Sequence, residues 1–267
     1  MQPTIDLFGL SLKTFGLMFA LGFLASGAII RRRLRELGEP EDWAYEITFS
    51  ALVGGLVGAR LYYVVQHTGE LADSPLKTLF GGSGLVWYGG ALGGALGVIL
   101  WARRRGMLDL RLLDLCSVSL ALGYGIGRIG CQLSGDGDYG KPWDGPWAMA
   151  YPKGTVPTTV PVHPTPVYET LSMALLAWVL WRNRDRLRAG ALFACYLVGA
   201  GTERFLVEFV RRNTPDVLGL TAAQVESLVM LVAGLAWLTI LARRPGGLRS
   251  AAAPVVSPAG RVARATG

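Results

Sequence analysis

Residues Cys116–Ile126 read CSVSLALGYGI, and the next stretch, Gly127–Gly140, reads GRIGCQLSGDGDYG. Eleven residues without a formal charge run directly into a permanent cation, Arg128, and then into a glycine-rich turn carrying Asp136 and Asp138. An apolar helix of about 20 residues crosses the ~30 Å hydrocarbon core of a bilayer. The first stretch therefore reads as the body of a membrane span, and the second as its polar end.

Working outward, seven segments share this character: Thr14–Ile30, Ala44–Gln66, Leu85–Ala102, Leu110–Leu133, Pro166–Trp181, Ala189–Val210 and Ala222–Ala242. The chain of 267 residues is 51% hydrophobic and 17% charged, with 36 glycines. Its mean hydropathy is +0.38. That apolar content exceeds the soluble average only slightly, but it is concentrated in long runs, and glycine is a normal component of packed transmembrane helices. The expected fold class is all-α, a polytopic membrane bundle of about seven transmembrane helices. Residues 1–245 are expected to form one transmembrane catalytic domain, with an outer loop over 134–164 and a disordered cytoplasmic tail over 246–267.

The net charge of +7 does not point to nucleic acid, because the basic residues sit in short clusters at the ends of apolar runs. Arg31, Arg32, Arg33 and Arg35 follow the first span, Arg103–Arg105 the third, Arg182, Arg184, Arg186 and Arg188 the fifth, and Arg243 and Arg244 the seventh. Clusters that follow odd-numbered spans share one side, and the positive-inside rule makes that side cytoplasmic. The N-terminus is then outside and the C-terminus inside. The outer loops hold isolated cations such as Lys77, Lys141 and Lys153, with Arg211 and Arg212 as the exception. In the long outer loop, Trp143, Trp147 and Tyr151 suit the headgroup level of a membrane. Cys116, Cys131 and Cys195 lack metal-ligand spacing and a disulfide framework, so no metal or diffusible cofactor is expected.

Ionisable residues within spans are costly and mark functional sites. Arg60 lies toward the end of the second span and Arg128 toward the end of the fourth. Glu203, Arg204, Glu208 and Arg211 cluster at the end of the sixth in GTERFLVEFVRR. Glu169 opens the fifth, Tyr88 the third, and Glu226 lies near the start of the seventh. Under the expected topology Arg60, Arg128, Arg204, Glu208, Arg211, Tyr88 and Glu169 lie at one membrane level. Arg204 and Glu208 are spaced i,i+4 and can pair on one helix face. Guanidinium forks bind phosphate bidentately, and nearby glycines let backbone N–H groups approach the same anion. The chemistry is that of an anion site for a phospholipid headgroup. Plainer readings stand beside it: Arg60 as an interface anchor, Arg204–Glu208 as a structural pair, Asp136 and Asp138 as turn formers, and Cys131 as a packing residue.

These pieces resemble the prolipoprotein diacylglyceryl transferase family. GRIGCQLSGDGDYG is similar to that family's signature, a Gly-Arg-x-Gly-Asn start followed by an acidic residue and a closing glycine. FGLMFALGF resembles its opening helix, GARLYYV the end of its second, and WYGGALGG its His-Gly-Gly segment. WAMAYP and HPTPVYE resemble stations of its long loop, RFLVEFVR its Arg-x-x-x-Glu motif, and AQVESL a Gly-Gln-x-x-Ser stretch. The resemblance spans about residues 10 to 245.

It implies a bacterial inner-membrane, multi-pass enzyme. The reaction implied moves the diacylglyceryl group of phosphatidylglycerol to the lipobox cysteine thiol in the signal peptide of a prolipoprotein. That step gives a thioether, releases glycerol phosphate and begins lipoprotein maturation. By the resemblance, Arg128 and Arg204 hold the phosphate and stabilise leaving-group charge, and Glu208 orients Arg204. Arg60 and Tyr62 line the site, and Gly127, Gly130 and Gly140 shape it, with Gly89 and Gly90 beside Tyr88. The acidic station falls on Asp136 or Asp138.

Two positions depart from the pattern: Tyr88 replaces the histidine and Cys131 the asparagine. A tyrosine has an ordinary pKa near 10, against about 6.5 for a histidine, which leaves the thiol's proton acceptor open. Two alternative functions stay open with it. One is a non-catalytic lipid-binding paralogue. The other is a transporter of an anionic solute, which calls for charges along a path through the bilayer and two similar halves.

Overall fold

A computed structural model of the chain describes residues 2–7, 9–69, 74, 76, 86–215 and 219–249. The expected tail from residue 250 onward, Lys77 and the first residue of the expected third span, Leu85, lie outside the described residues. Among the described residues the chain is a helix bundle: α1 (Thr14–Leu37), α2 (Trp43–Gln66), α3 (Trp87–Arg105), α4 (Leu110–Ser134), α5 (Thr165–Asn183), α6 (Ala191–Glu208) and α7 (Ala222–Ala242). Four of these, α1, α2, α4 and α7, are long and apolar enough to cross a membrane by length and composition. The other three have 18 or 19 residues.

Two short hairpins were not expected. Strands β1 (Thr4–Leu7) and β2 (Leu10–Lys13) pair antiparallel ahead of α1, and β3 (Met149–Tyr151) pairs with β4 (Thr158–Val162) inside the long loop. That loop has its own small core of Tyr139, Tyr151 and Val162. Tyr151 corrects its assignment to a headgroup belt: it is fully buried, stacks on Tyr139 with ring centroids 4.7 Å apart and donates to Gln132 Oε1 at 2.8 Å. A buried phenol needs such an acceptor, and burial pushes its pKa up to about 12. Trp147, in contrast, is exposed.

The helices end where local chemistry dictates. Asp109 caps α4 by accepting from the backbone N–H groups of Arg111 and Leu112 at 2.8 and 3.3 Å. Asp114, one turn into α4, accepts from Gly190 N at 2.7 Å and Phe193 N at 2.9 Å. It thus satisfies orphan donors at the start of α6 and locks two helices together. Thr221 and Gln224 form a capping box at the start of α7.

Helix α4 is central and packs against α1, α5 and α6. Between α2 and α3 the backbones nearly touch. A Cβ on Gly58 would fall 2.2 Å from the carbonyl oxygen of Gly89, and one on Gly89 would fall 2.3 Å from that of Gly58. Large apolar residues such as Leu24, Phe49, Leu92, Leu171 and Val229 face outward, as a lipid solvent requires. The chain is a multi-pass membrane helix bundle.

Arginines at the helix ends also tie neighbouring helices together. Arg184 Nε meets Glu36 at 2.8 Å and Arg33 meets Asp185 at 2.6 Å, tying the ends of α1 and α5. Arg105 meets Glu46 at 2.5 Å between α3 and α2.

Candidate functional site

At the opposite end of α4, its last turns carry Arg128 into a polar cluster built by α5, α6 and the loops after α4 and α6. The hub is Glu169 in the second turn of α5, whose side chain is fully buried. Its Oε1 accepts from Tyr124 Oη at 2.8 Å and lies 3.3 Å from Arg128 Nε and 3.5 Å from Arg204 Nη1. Its Oε2 lies 3.4 Å from Arg211 Nη1. Three guanidiniums thus converge on one carboxylate.

Two further carboxylates bridge the same cations. Asp138 pairs with Arg128 and, at 2.7 Å, with Arg211 Nη2. Burial alone would raise its pKa, but the Arg211 and Arg128 guanidiniums outweigh that and hold it below the usual carboxylate range. Glu208 meets Arg204 Nη2 at 3.0 Å on the expected i,i+4 face and Arg211 Nε at 3.7 Å. Its Oε1 accepts from Thr221 Oγ1 at 2.9 Å and Asn213 Nδ2 at 2.5 Å. One threonine therefore both caps α7 and fixes Glu208.

The arginines and the three bridging carboxylates balance in formal charge. An incoming anion is therefore held by directed N–H donors rather than by net charge. Each guanidinium has five such donors. Arg204 is the most exposed of the three, its side chain 24% accessible against 15% for Arg128 and 9% for Arg211. An open pocket of about 430 Å³ adjoins the cluster, lined by Gly137, Asp138, Tyr139, Arg211, Arg212 and Asn213.

Of the other sequence candidates, some lie beside this hub and some on the α2–α3 pair. Cys131 is buried, its Sγ 3.7 Å from Asp138 Oδ2 and 3.8 Å from Arg128 Nη1. Asp136 accepts from Asp138 N at 3.2 Å and shapes the turn. Of the two aspartates left open by sequence, Asp138 is the one that grips arginine. Tyr88 lies within electrostatic reach of Glu226, near the start of α7, and of Arg204, and has its ring centroid 6.5 Å from that of Tyr62.

Arg60 sits over the ring of Tyr63 at 5.4 Å, on the α2 side of the molecule. Gly140 is locked between Val210 and His163, Gly130 abuts Met18, and Gly89 abuts Gly58 and Tyr62. A Cβ on Gly90 would make ordinary contact with Ala59, and one on Gly127 would meet nothing within 4 Å. His163 stacks on Trp143 with centroids 4.4 Å apart and makes a 3.3 Å contact with Tyr168 Oη, a structural setting.

Cys131, Asp136 and Asp138 bring potential metal-ligand atoms within 4.8 Å of one another, a convergence that sequence spacing did not reveal. The donor set is a poor one for a cation, because Arg128 and Arg211 already occupy both oxygens of Asp138 and would repel it. Glu169 and Arg211 are candidates from sequence, but no local signal marks them as central. Sequence assigns Tyr124, Asn213 and Thr221 no role.

The model of the family described as prolipoprotein diacylglyceryl transferase matches residues 3–240. A Clostridium tetani protein named phosphatidylglycerol–prolipoprotein diacylglyceryl transferase is 34% identical over 241 residues, covering 88% of this chain and 96% of that protein. One of the same name from Geobacter sulfurreducens is 36% identical over 255 residues, covering 89% and 94%. A third, from Clostridium perfringens and named as transferase 2, is 29% identical over 235 residues, covering 86% and 91%.

Proposed function

This chain belongs to the prolipoprotein diacylglyceryl transferase family, and from that premise we propose how the Glu169-centred cluster performs the transfer. The chain is a transferase that moves the diacylglyceryl group of phosphatidylglycerol to prolipoproteins in lipoprotein maturation. The acceptor is the lipobox cysteine thiol of the signal peptide, and the protein works in the bacterial inner membrane with its N-terminus outside. The observation that carries the residue-level reading is the convergence of Arg128, Arg204 and Arg211 on Glu169.

In the reaction the thiol sulfur attacks the glyceryl carbon bonded to the phosphate oxygen. A C–S bond forms, the C–O bond breaks, and glycerol phosphate leaves with the bonding electron pair. Negative charge builds on the departing phosphate oxygen. Preorganised N–H donors aimed at that oxygen stabilise it without reorganising. Arg204 supplies these donors because it is the most accessible of the three guanidiniums, and Arg128 supports it. Glu169 and Glu208 hold the forks in place, and Asp138 fixes Arg128 from the loop. The open space beside Gly127 lets substrate approach the Arg128 backbone. In this reading Tyr88 takes the thiol proton as it passes its own to the neighbouring Glu226 carboxylate.

Incubation of the purified protein with phosphatidylglycerol and a lipobox peptide tests this. The expected product is the peptide heavier by one diacylglyceryl unit on cysteine. Arg128→Ala and Arg204→Ala are expected to lose it while still inserting in membranes. Full activity in both variants would overturn the anion-site mechanism.

A further inference from the structure

Three carboxylates of the cluster have their partners, although Glu208 Oε2, ion-paired with Arg204 at 3.0 Å, accepts no hydrogen bond among the described residues. Asp138 is held by Arg128 and Arg211, Glu169 by Tyr124 and three arginines, and Glu208 by Arg204, Arg211, Thr221 and Asn213. A fourth does not. Both carboxyl oxygens of Glu203 are buried and have no hydrogen-bond partner among the described residues. A buried acceptor without a donor is expensive, and each such group in a folded protein calls for an explanation.

Glu203 immediately precedes Arg204 on α6. The groups around it are Arg128 and Tyr124 from α4, Glu169 from α5, and Arg204 and Arg211. The cations among them are engaged with the other carboxylates, so none of the described residues supplies the donor that completes Glu203.

We propose that Glu203 accepts the headgroup hydroxyls of phosphatidylglycerol, and that through it the site distinguishes a hydroxylated phospholipid headgroup from a bare one. The proposal rests on the transferase reading above. Neighbouring residues on a helix point about 100° apart, so a phosphate on Arg204 leaves its glycerol substituent free to reach toward Glu203. Two hydroxyls on the glycerol match two vacant acceptor oxygens. A site with buried groups waiting for a hydroxyl rejects the analogue that lacks it, because those groups then stay unpaired.

The test compares two donors with the same acyl chains, phosphatidylglycerol and phosphatidylethanol, with the full-length protein in detergent and a lipobox peptide as acceptor. The readout is the ratio of their kcat/KM values within each variant, which does not depend on how much of the variant folded. The wild type is expected to favour phosphatidylglycerol by at least about tenfold. In Glu203→Ala the ratio falls toward one. In Glu203→Gln, which keeps one acceptor oxygen and serves if the alanine variant does not fold, it falls part of the way. A wild type that uses both donors equally, or a ratio unchanged in both variants, overturns the proposal. Transfer from neither donor by the wild type would instead sink the transferase reading, and this proposal with it.

Discussion

Replacing Glu169 by glutamine keeps the shape of the hub and removes its charge. The side chain is fully buried, and three guanidiniums lie at 3.3, 3.5 and 3.4 Å from its oxygens. Each of those cations keeps one or two other carboxylates, but none shared by all three. Removing one partner of a buried ion pair costs about 3–5 kcal/mol, because the remaining charge stays desolvated. The donation from Tyr124 adds nothing to that cost, since the amide oxygen of glutamine can still accept it. For a chain of this size each kcal/mol shifts the melting temperature by roughly 2–4 °C, so Glu169→Gln is expected to melt on the order of 10 °C lower. The assay is thermal unfolding in detergent, read by a thiol-reactive fluorogenic dye, with the free thiols Cys116, Cys131 and Cys195 as reporters. Glu41→Gln is the control. Glu41 also meets two arginines, Arg31 and Arg35, but at the surface, where screening leaves little net gain, and its melting temperature should match wild type. Equal melting of Glu169→Gln and Glu41→Gln would refute the claim that the cluster is held by its buried hub.

Three other expectations follow from the same geometry. Gly140→Ala would place a Cβ 2.4 Å from the carbonyl oxygen of Val210 and should destabilise by about 1–3 kcal/mol; in Gly127→Ala the added Cβ meets open space, so a loss of activity without a loss of melting temperature there reports substrate beside Arg128. Tyr88→Phe removes the hydroxyl within electrostatic reach of Glu226 and should lower kcat with little change in KM for phosphatidylglycerol; an unchanged kcat assigns Tyr88 to packing. The pKa of Asp138 is depressed on folding, so its stabilisation is complete above the ordinary carboxylate range and is lost as pH falls through the lowered folded value. Acid unfolding curves of wild type and Asp138→Asn should therefore converge at the lowest pH, and a constant offset between them at every pH contradicts this.

The sequence by itself determined the helices. Hydropathy and capping are local properties, so the seven apolar runs, the bounds of α7 at Ala222 and Ala242, and the Arg204–Glu208 pair one turn apart could be read along one dimension. Only the tertiary structure decided who partners whom. Arg128 reaches Glu169 from 41 positions earlier in the chain, and no local pattern encodes such a distance. The choice of Asp138 over Asp136 depended on which carboxylate the turn aims at two guanidiniums. Tyr151 looked like a headgroup aromatic because its neighbours in sequence are those of a loop, but the hairpin folds it inward onto Tyr139. That Glu203 alone among four clustered carboxylates lacks a partner is a property of the whole arrangement, since satisfaction of a buried group depends on every donor around it.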